Sequence, residues 1–256
     1  MEIAVCVKRV PMVGGKIVVT ADGQDVDTRM SGFTVSPHEE CAVEEAVQIM
    51  QRLGGSVSVL TLGPPEAADQ LRDMLAMGAS RGVLLETDGT EWGPVATAGA
   101  IAAHVRSHGD GTDGPYRLLL FGNEAADTGG YQVPVRVAHA LGLPCVTGIK
   151  NIDMTDDGVR ARREYRGTEE IFDLPLPAVI SVKEGINLPR YPSLPGRLRA
   201  KRAAIERHQP QWRGEGLRKT GLRVPAGENR RAEILGTGTD AVPALVRLLD
   251  ELGVLS

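Results

Sequence analysis

The sequence predicts an α/β fold: a doubly wound, mostly parallel sheet with a small antiparallel addition and a C-terminal arm plus helix. Three observations carry that expectation. Short apolar runs, the form taken by strands buried on both faces, alternate with amphipathic stretches of about 10–15 residues, the rhythm of βαβ units. The junctions between them hold helix-capping and turn chemistry. Aromatic residues make up only 4% of the 256 residues, while Ala, Val, Leu and Gly dominate, a composition suited to closely packed layers.

The elements follow in order. Residues 3–7 (IAVCV) form the first buried strand. Residues 16–20 and 26–30 flank the turn signal Ala21-Asp22-Gly23 and predict a small hairpin. Ser36-Pro37-His38-Glu39 reads as a helix start, because Ser36 can cap, Pro37 suits the first helical position and Glu39 completes a capping box. Ala42, Val43, Ala46, Val47, Met50 and Leu53 then form an apolar stripe, which Gly54-Gly55 ends. A strand at 56–62, a helix opened by Pro64-Pro65-Glu66 and running through Met77, and a strand at 81–86 come next. A helix at 94–107, a strand at 116–121 and a helix at 132–141 complete the alternation. After Pro144 the rhythm changes: residues 151–154, 159–165 and 169–174 read as antiparallel additions, and 178–182 returns to the main sheet. Beyond Lys201 the chain turns polar and Gly-rich until 240–252, where Ala241, Leu245, Leu248 and Leu249 make one amphipathic helix. Its apolar face must be buried on its own domain or on a partner. The expected division is a core at 1–185, a loop and basic run at 186–202, and a C-terminal arm and helix at 203–256.

Composition excludes several classes. The formal net charge of −4 gives no reason to expect nucleic-acid binding. Cys6, Cys41 and Cys145 form no CxxC and no metal-ligand spacing, so they read as small core residues of a reducing compartment. No 18-residue apolar run exists and Met1-Glu2-Ile3 leads straight into a strand, so no membrane insertion and a cytoplasmic location are expected. His38, His104, His108, His139 and His208 show no metal spacing, and no G-x-S-x-G elbow is present. Glu39-Glu40 and Glu44-Glu45 suit the dipole of a helix N-terminus rather than paired-carboxylate catalysis. Bond-making catalysis by this chain is not expected.

Two stretches remain to be explained. In residues 187–202 (NLPRYPSLPGRLRAKR), Pro189, Pro192 and Pro195 fall three apart, one turn of polyproline II, which predicts an extended arm with Leu188, Tyr191 and Leu194 on one face. It reads either as a docking surface or as a stiff linker ahead of a solvated charge run. The second stretch, residues 122–132 (GNEAADTGGYQ), follows a strand and opens a helix. Ligands of open parallel sheets bind at strand carboxyl ends, and Gly129-Gly130 could form an anion-binding nest, although many such loops are plain connections.

These segments resemble the beta subunit of the electron transfer flavoprotein family. Residues 186–196 are similar to its signature loop, L-N-E-P-R-Y-x-x-L-P, and the resemblance extends over most of the chain up to about Arg202. Val5-Cys6-Val7-Lys8-Arg9-Val10-Pro11 resembles its first strand, V-x-V-K-R-V-P, and residues 36–46 resemble N-P-x-D/C-x-x-A-x-E-E-A. Gly122, Ala125, Asp127 and Gln132 match its adenine-nucleotide loop, with Glu124 in place of the usual glutamine.

The resemblance implies a fold of adenine-nucleotide-binding type that holds AMP, with FAD carried mainly by an alpha subunit. The implied cofactor-binding residues are Cys6, Ser36, Pro37, His38, Glu39 and Leu62, together with Gly122, Asn123, Glu124, Ala125, Ala126, Asp127, Thr128, Gly129, Gly130, Tyr131, Gln132 and Val133. Leu188, Tyr191 and Leu194 would dock a flavin-dependent dehydrogenase of acyl-CoA dehydrogenase type, with Leu194 as anchor. Glu164 would contact the mobile flavin domain, the plain alternative being a surface ion pair with Arg162 or Arg163. The C-terminal arm would wrap the alpha subunit. Electrons would pass from the dehydrogenase through FAD to a quinone oxidoreductase or similar acceptor. Ser36 stands where the family usually has Asn, Met12 where an acidic residue is common, and no tyrosine lies near Val13. Arg199 and Arg202 occupy positions often held by lysine. Two other readings stay open: a bifurcating form with a second FAD in place of AMP, and a free-standing adenine-nucleotide sensor. The absence of a D-G-D-T-A-Q-V-G-P wording favours AMP over the second flavin, and a sensor would not require the proline arm.

Overall fold

The computed structural model describes residues 1–12, 17–109, 116–212, 214, 216, 219–225 and 234–255. In chain order the elements are β1 (Glu2–Cys6), β2 (Val10–Pro11), β3 (Phe33–Thr34), α1 (Pro37–Leu53), β4 (Ser56–Gly63), α2 (Ala68–Met77), β5 (Arg81–Glu86) and α3 (Pro94–Gly109). They continue with β6 (Leu118–Gly122), α4 (Val133–Leu141), β7 (Cys145–Ile149), β8 (Asn151–Met154), β9 (Val159–Tyr165), β10 (Thr168–Leu174), β11 (Ala178–Val182), α5 (Leu194–Arg202), β12 (Ile205–His208) and α6 (Val242–Glu251). Among the described residues the main sheet has seven strands, all paired parallel, in the order β12-β5-β4-β1-β6-β11-β7. Strands β8 to β10 form the separate antiparallel sheet. The expected α/β class, doubly wound sheet and antiparallel addition are all present.

Strand alternation divides the core into two layers. In β6, Leu118 and Leu120 join Ile3, Val5, Val43, Val47, Leu71 and Ile180 on one face. Leu119 and Phe121 join Ala4, Leu60, Val83, Leu85, Ile101, Val137 and Val179 on the other. A strand covered on both faces has no polar side, which is why these runs read as continuously apolar. Among the described residues, no helix is long and apolar enough to cross a membrane.

Four expectations are corrected. The hairpin expected at 16–20 and 26–30 reduces to one bridge between Val19 and Val26, because among the described residues its apolar side is left open: Ile17, Val18 and Met30 are exposed. Lys16 and Val13 lie outside the described residues. The parallel rhythm persists past Pro144, since β7 pairs with β11 at the sheet edge. Gly148, at φ 73° beside a register shift, breaks the apolar pattern that would have announced the strand.

The polar stretch after Lys201 begins with an edge strand: β12 pairs with β5, and among its four residues Ile205 alone is shielded, packing against Gly82. Finally, the arm is not extended to its end. Ser193 Oγ accepts the Gly196 N–H at 3.2 Å and Pro195 lies in the first turn, so α5 starts at Leu194 and carries the basic run on a helix. Gly196 permits this packing, because a Cβ there would lie 2.8 Å from the Ala76 carbonyl oxygen of α2. At the C-terminus, α6 falls within the expected 240–252 and leaves Leu245, Val246 and Leu248 exposed.

Candidate functional site

From β1 the chain winds outward through β4 and β5, then returns to the other side of β1 with β6. The direction of winding therefore reverses between β1 and β6, and the crevice beyond their carboxyl ends is where this topology places ligands. Cys6 closes β1, Gly122 closes β6, and the start of α1 lies across both. Gly122 is obligatory for that approach: a Cβ would sit 2.6 Å from Glu39 Cγ and 3.1 Å from the Glu39 nitrogen.

The side chains knit the three segments together. Lys8 N–H donates to Glu39 Oε1 at 2.9 Å and Ser36 N–H to Glu39 Oε2 at 3.0 Å. Ser36 Oγ donates to the Glu124 carbonyl at 3.2 Å, and Lys8 Nζ meets Asp127 Oδ2 at 2.6 Å. His38 Nδ1 accepts the backbone N–H of Glu184 at 2.7 Å. Nδ1 is thus the bare nitrogen, Nε2 carries the proton, and Nε2 faces Glu124 Oε1 at 3.4 Å. Pro37 supplies the first helical turn of α1.

Burial sets the electrostatics. It lifts the Glu39 carboxyl to about 8, against the pull of the N–H bonds from Ser36 and Lys8. Burial first, and Glu39 second, push the Cys6 thiol well up. Cys6 is therefore a small packed wall, not a thiolate nucleophile.

The loop after β6 divides into a fixed base and an exposed tip. Asn123 is buried, accepts from Ser181 Oγ at 3.3 Å through Oδ1 and donates its N–H to the Val182 carbonyl at 2.9 Å, which ties the base to β11. Ala126, Asp127, Thr128, Gly129 and Gly130 are exposed, while Ala125 is half-buried. Gly129 at φ 54° and Tyr131 at φ 53° turn the chain, and Gly129 N–H closes on the Ala125 carbonyl at 2.9 Å. A non-glycine in the left-handed region is uncommon. The Tyr131 hydroxyl bonds Glu124. Gln132 precedes α4 and accepts from Arg136, and Val133 and Leu62 pack on the apolar face that includes Val137. Leu62 stands one strand away from the crevice, on β4.

Elsewhere, Glu164 is exposed on β9 opposite Glu169. Its neighbours Arg162 and Arg163 pair instead with Asp153 and Glu170. On the arm, Leu188, Tyr191 and Leu194 are 89%, 84% and 71% exposed, and the Arg197 guanidinium lies 4.7 Å from the Tyr191 ring centroid. Sequence reasoning missed Ser181 and the Glu184 amide, which meet the crevice segments only through β11. No spacing signal could have found them, because their partners are 58 and 146 residues distant.

Residues 26–211 match the family model described as the electron transfer flavoprotein domain. The chain is similar to the electron transfer flavoprotein subunit beta of Bacillus subtilis, 34% identical over 209 residues, covering 80% of this chain and 78% of that one. The subunit of the same name from Syntrophomonas wolfei is 35% identical over 206 residues, with coverage of 80% and 78%. Protein FixA of Bradyrhizobium diazoefficiens is 30% identical over 262 residues, covering 96% of this chain and 90% of that one.

Proposed function

The chain belongs to the electron transfer flavoprotein family, among its beta subunits, and we propose that it is the nucleotide-holding, partner-docking half of a heterodimer. Its general role is electron transfer. The finer reading assigns it a structural AMP, with FAD held mainly by an alpha subunit, a flavin-dependent dehydrogenase as electron donor, and a quinone oxidoreductase or similar protein as acceptor.

The observation that supports this best is the convergence of residues 6–8, 36–39 and 122–131 on one crevice at the reversal of the sheet. The residues fit an adenine nucleotide. Ala125, Ala126, Gly129 and Gly130 let the backbone approach closely, Lys8 sets a cation beside the loop, and α4 begins at its end. Ser36, His38 and Lys8 would hold the loop in its binding form, and Thr128 and Tyr131 would lie beside the ligand. FAD, when bound, supplies the redox chemistry of the complex. This chain supplies a rigid base, a nucleotide and a docking arm, with no bond-making step of its own. The exposed leucine face of α6 would be covered by the alpha subunit.

Mass spectrometry of the denatured, co-purified heterodimer tests the assignment. AMP and FAD in equal amounts are expected. Two FAD and no AMP would replace it with the bifurcating reading, and a stable monomer with AMP alone would favour the sensor.

A further inference from the structure

The docking arm carries two residues that face inward, one before Leu188 and one between Leu188 and Tyr191. Arg190 forms a bidentate pair with Glu44 of α1, Nε to Oε2 at 2.8 Å and a terminal nitrogen to Oε1 at 2.9 Å. The Arg190 N–H also donates to Glu44 Oε2 at 3.2 Å, and the guanidinium reaches Gln51 Oε1 at 3.1 Å. The Glu44 side chain is only 4% exposed, and Gln48 Nε2 donates to it at 2.7 Å. Three residues upstream, Asn187 Nδ2 donates to the Cys41 carbonyl and to Glu45 Oε2, each at 3.0 Å. Two successive turns of α1 thus grip the arm at two points.

Cys41 Sγ also donates to the Asn187 carbonyl at 3.7 Å, and beyond Arg190 the arm makes no further hydrogen bond to α1 among the described residues. A cavity of about 650 Å³ opens between the arm and α2, lined by Pro189, Tyr191 and Pro192 above and by Asp73, Met74 and Met77 below. The next firm contact is Gly196 of α5 against Ala76. Residues 190–195 therefore bridge an open space, and their conformation depends on the clamp and on the Ser193 cap.

We infer that Arg190 and Asn187 are positioning residues, which present Leu188, Tyr191 and Leu194 in a preformed arrangement by locking onto Glu44 and Glu45 rather than by touching the partner. The inference rests on the arm being the docking element. Ordering the arm before encounter removes part of the entropy cost of association, so the clamp acts on affinity for the partner and not on the electron-transfer step.

The test uses the full heterodimer carrying Glu44→Gln, Arg190→Lys, or the double change Glu44→Gln with Arg190→Met, which leaves no buried charge unpaired. Hydrogen exchange of a peptide spanning 187–196 reads the arm's order. Reduction of the heterodimer by a purified acyl-CoA dehydrogenase, as a function of concentration, reads docking. Glu44→Gln should accelerate exchange in that peptide and raise KM for the heterodimer about tenfold with kcat unchanged, and Arg190→Lys, which keeps the charge but not the bidentate fork, should produce a smaller rise. Unchanged exchange in both Glu44→Gln and the double variant overturns the inference. So does faster exchange with unaltered KM while Leu194→Ala still weakens coupling, a result that leaves docking by the arm intact. Coupling insensitive to Leu194→Ala as well overturns the docking reading itself, and the inference with it.

Discussion

His38 accepts the backbone N–H of Glu184 through Nδ1 at 2.7 Å, although 146 residues separate the two. The contact fixes the imidazole tautomer and turns the Nε2 proton toward Glu124, so one ring joins α1, the end of β11 and the loop after β6. His38→Ala leaves the Glu184 N–H without this acceptor and Glu124 without its neighbour. A net loss of about 1 kcal/mol in stability is expected, with a larger fall in retained AMP. Full nucleotide content after extensive dialysis would show that the ring does not hold the loop.

Gly122→Ala forces a methyl group into the space between β6 and the start of α1. Its nearest neighbours are Glu39 Cγ at 2.6 Å and the Glu39 nitrogen at 3.1 Å. One of these is backbone, so the helix start must shift, at a cost of about 1–3 kcal/mol. Calorimetry of the heterodimer should show the loss, and nucleotide content should fall with it. A variant that melts like the wild type would mean the crevice is looser than described.

Glu39 gives stability a pH dependence of definite sign. Its folded value of about 8 stands above the ordinary 4.5 because burial favours the neutral form. The folded state therefore holds the proton more tightly than the unfolded chain. The associated stability is complete below pH 4.5 and is lost as pH rises through 8. Glu39→Gln should remove this decline and flatten the melting profile across that interval. An identical slope in both proteins would reject the elevated value.

Leu194→Ala should weaken coupling to a dehydrogenase by about 2 kcal/mol, roughly thirtyfold, while leaving flavin content and melting temperature nearly unchanged. The side chain projects from the first turn of α5 and is 71% exposed. Arg197→Ala should cost less, with a stronger dependence on salt, because it removes a charge and the cation over Tyr191. A fall of many degrees in melting temperature for Leu194→Ala would make the leucine a packing residue and remove the docking assignment.

The sequence was most legible where physics is local. The start of α1 was written in Ser36, Pro37 and Glu39, and the apolar strands were written in runs that tertiary contacts did not need to explain. The helix of α5 was hidden because Pro189, Pro192 and Pro195 share one spacing yet differ in context: Ser193 makes the last of them a helix-start proline. Strand β12 was hidden because an edge position tolerates Glu206, Arg207 and His208. The candidate site was legible as three separate segments, while the bonds joining them, Lys8 to Asp127 and His38 to Glu184, span distances in sequence that no periodicity encodes.

Strands β11 and β12 run parallel on opposite sides of the sheet, five strand spacings apart, or roughly 24 Å at about 4.8 Å each. The arm is the crossover between them, so it must travel from the carboxyl end of one strand to the amino end of the other while traversing almost the whole width of the α1–α2 face. It behaves as a strap buckled at both ends. Both of its ends are held by strands of the sheet, so the residues between them can loosen only locally while β11 and β12 stay paired.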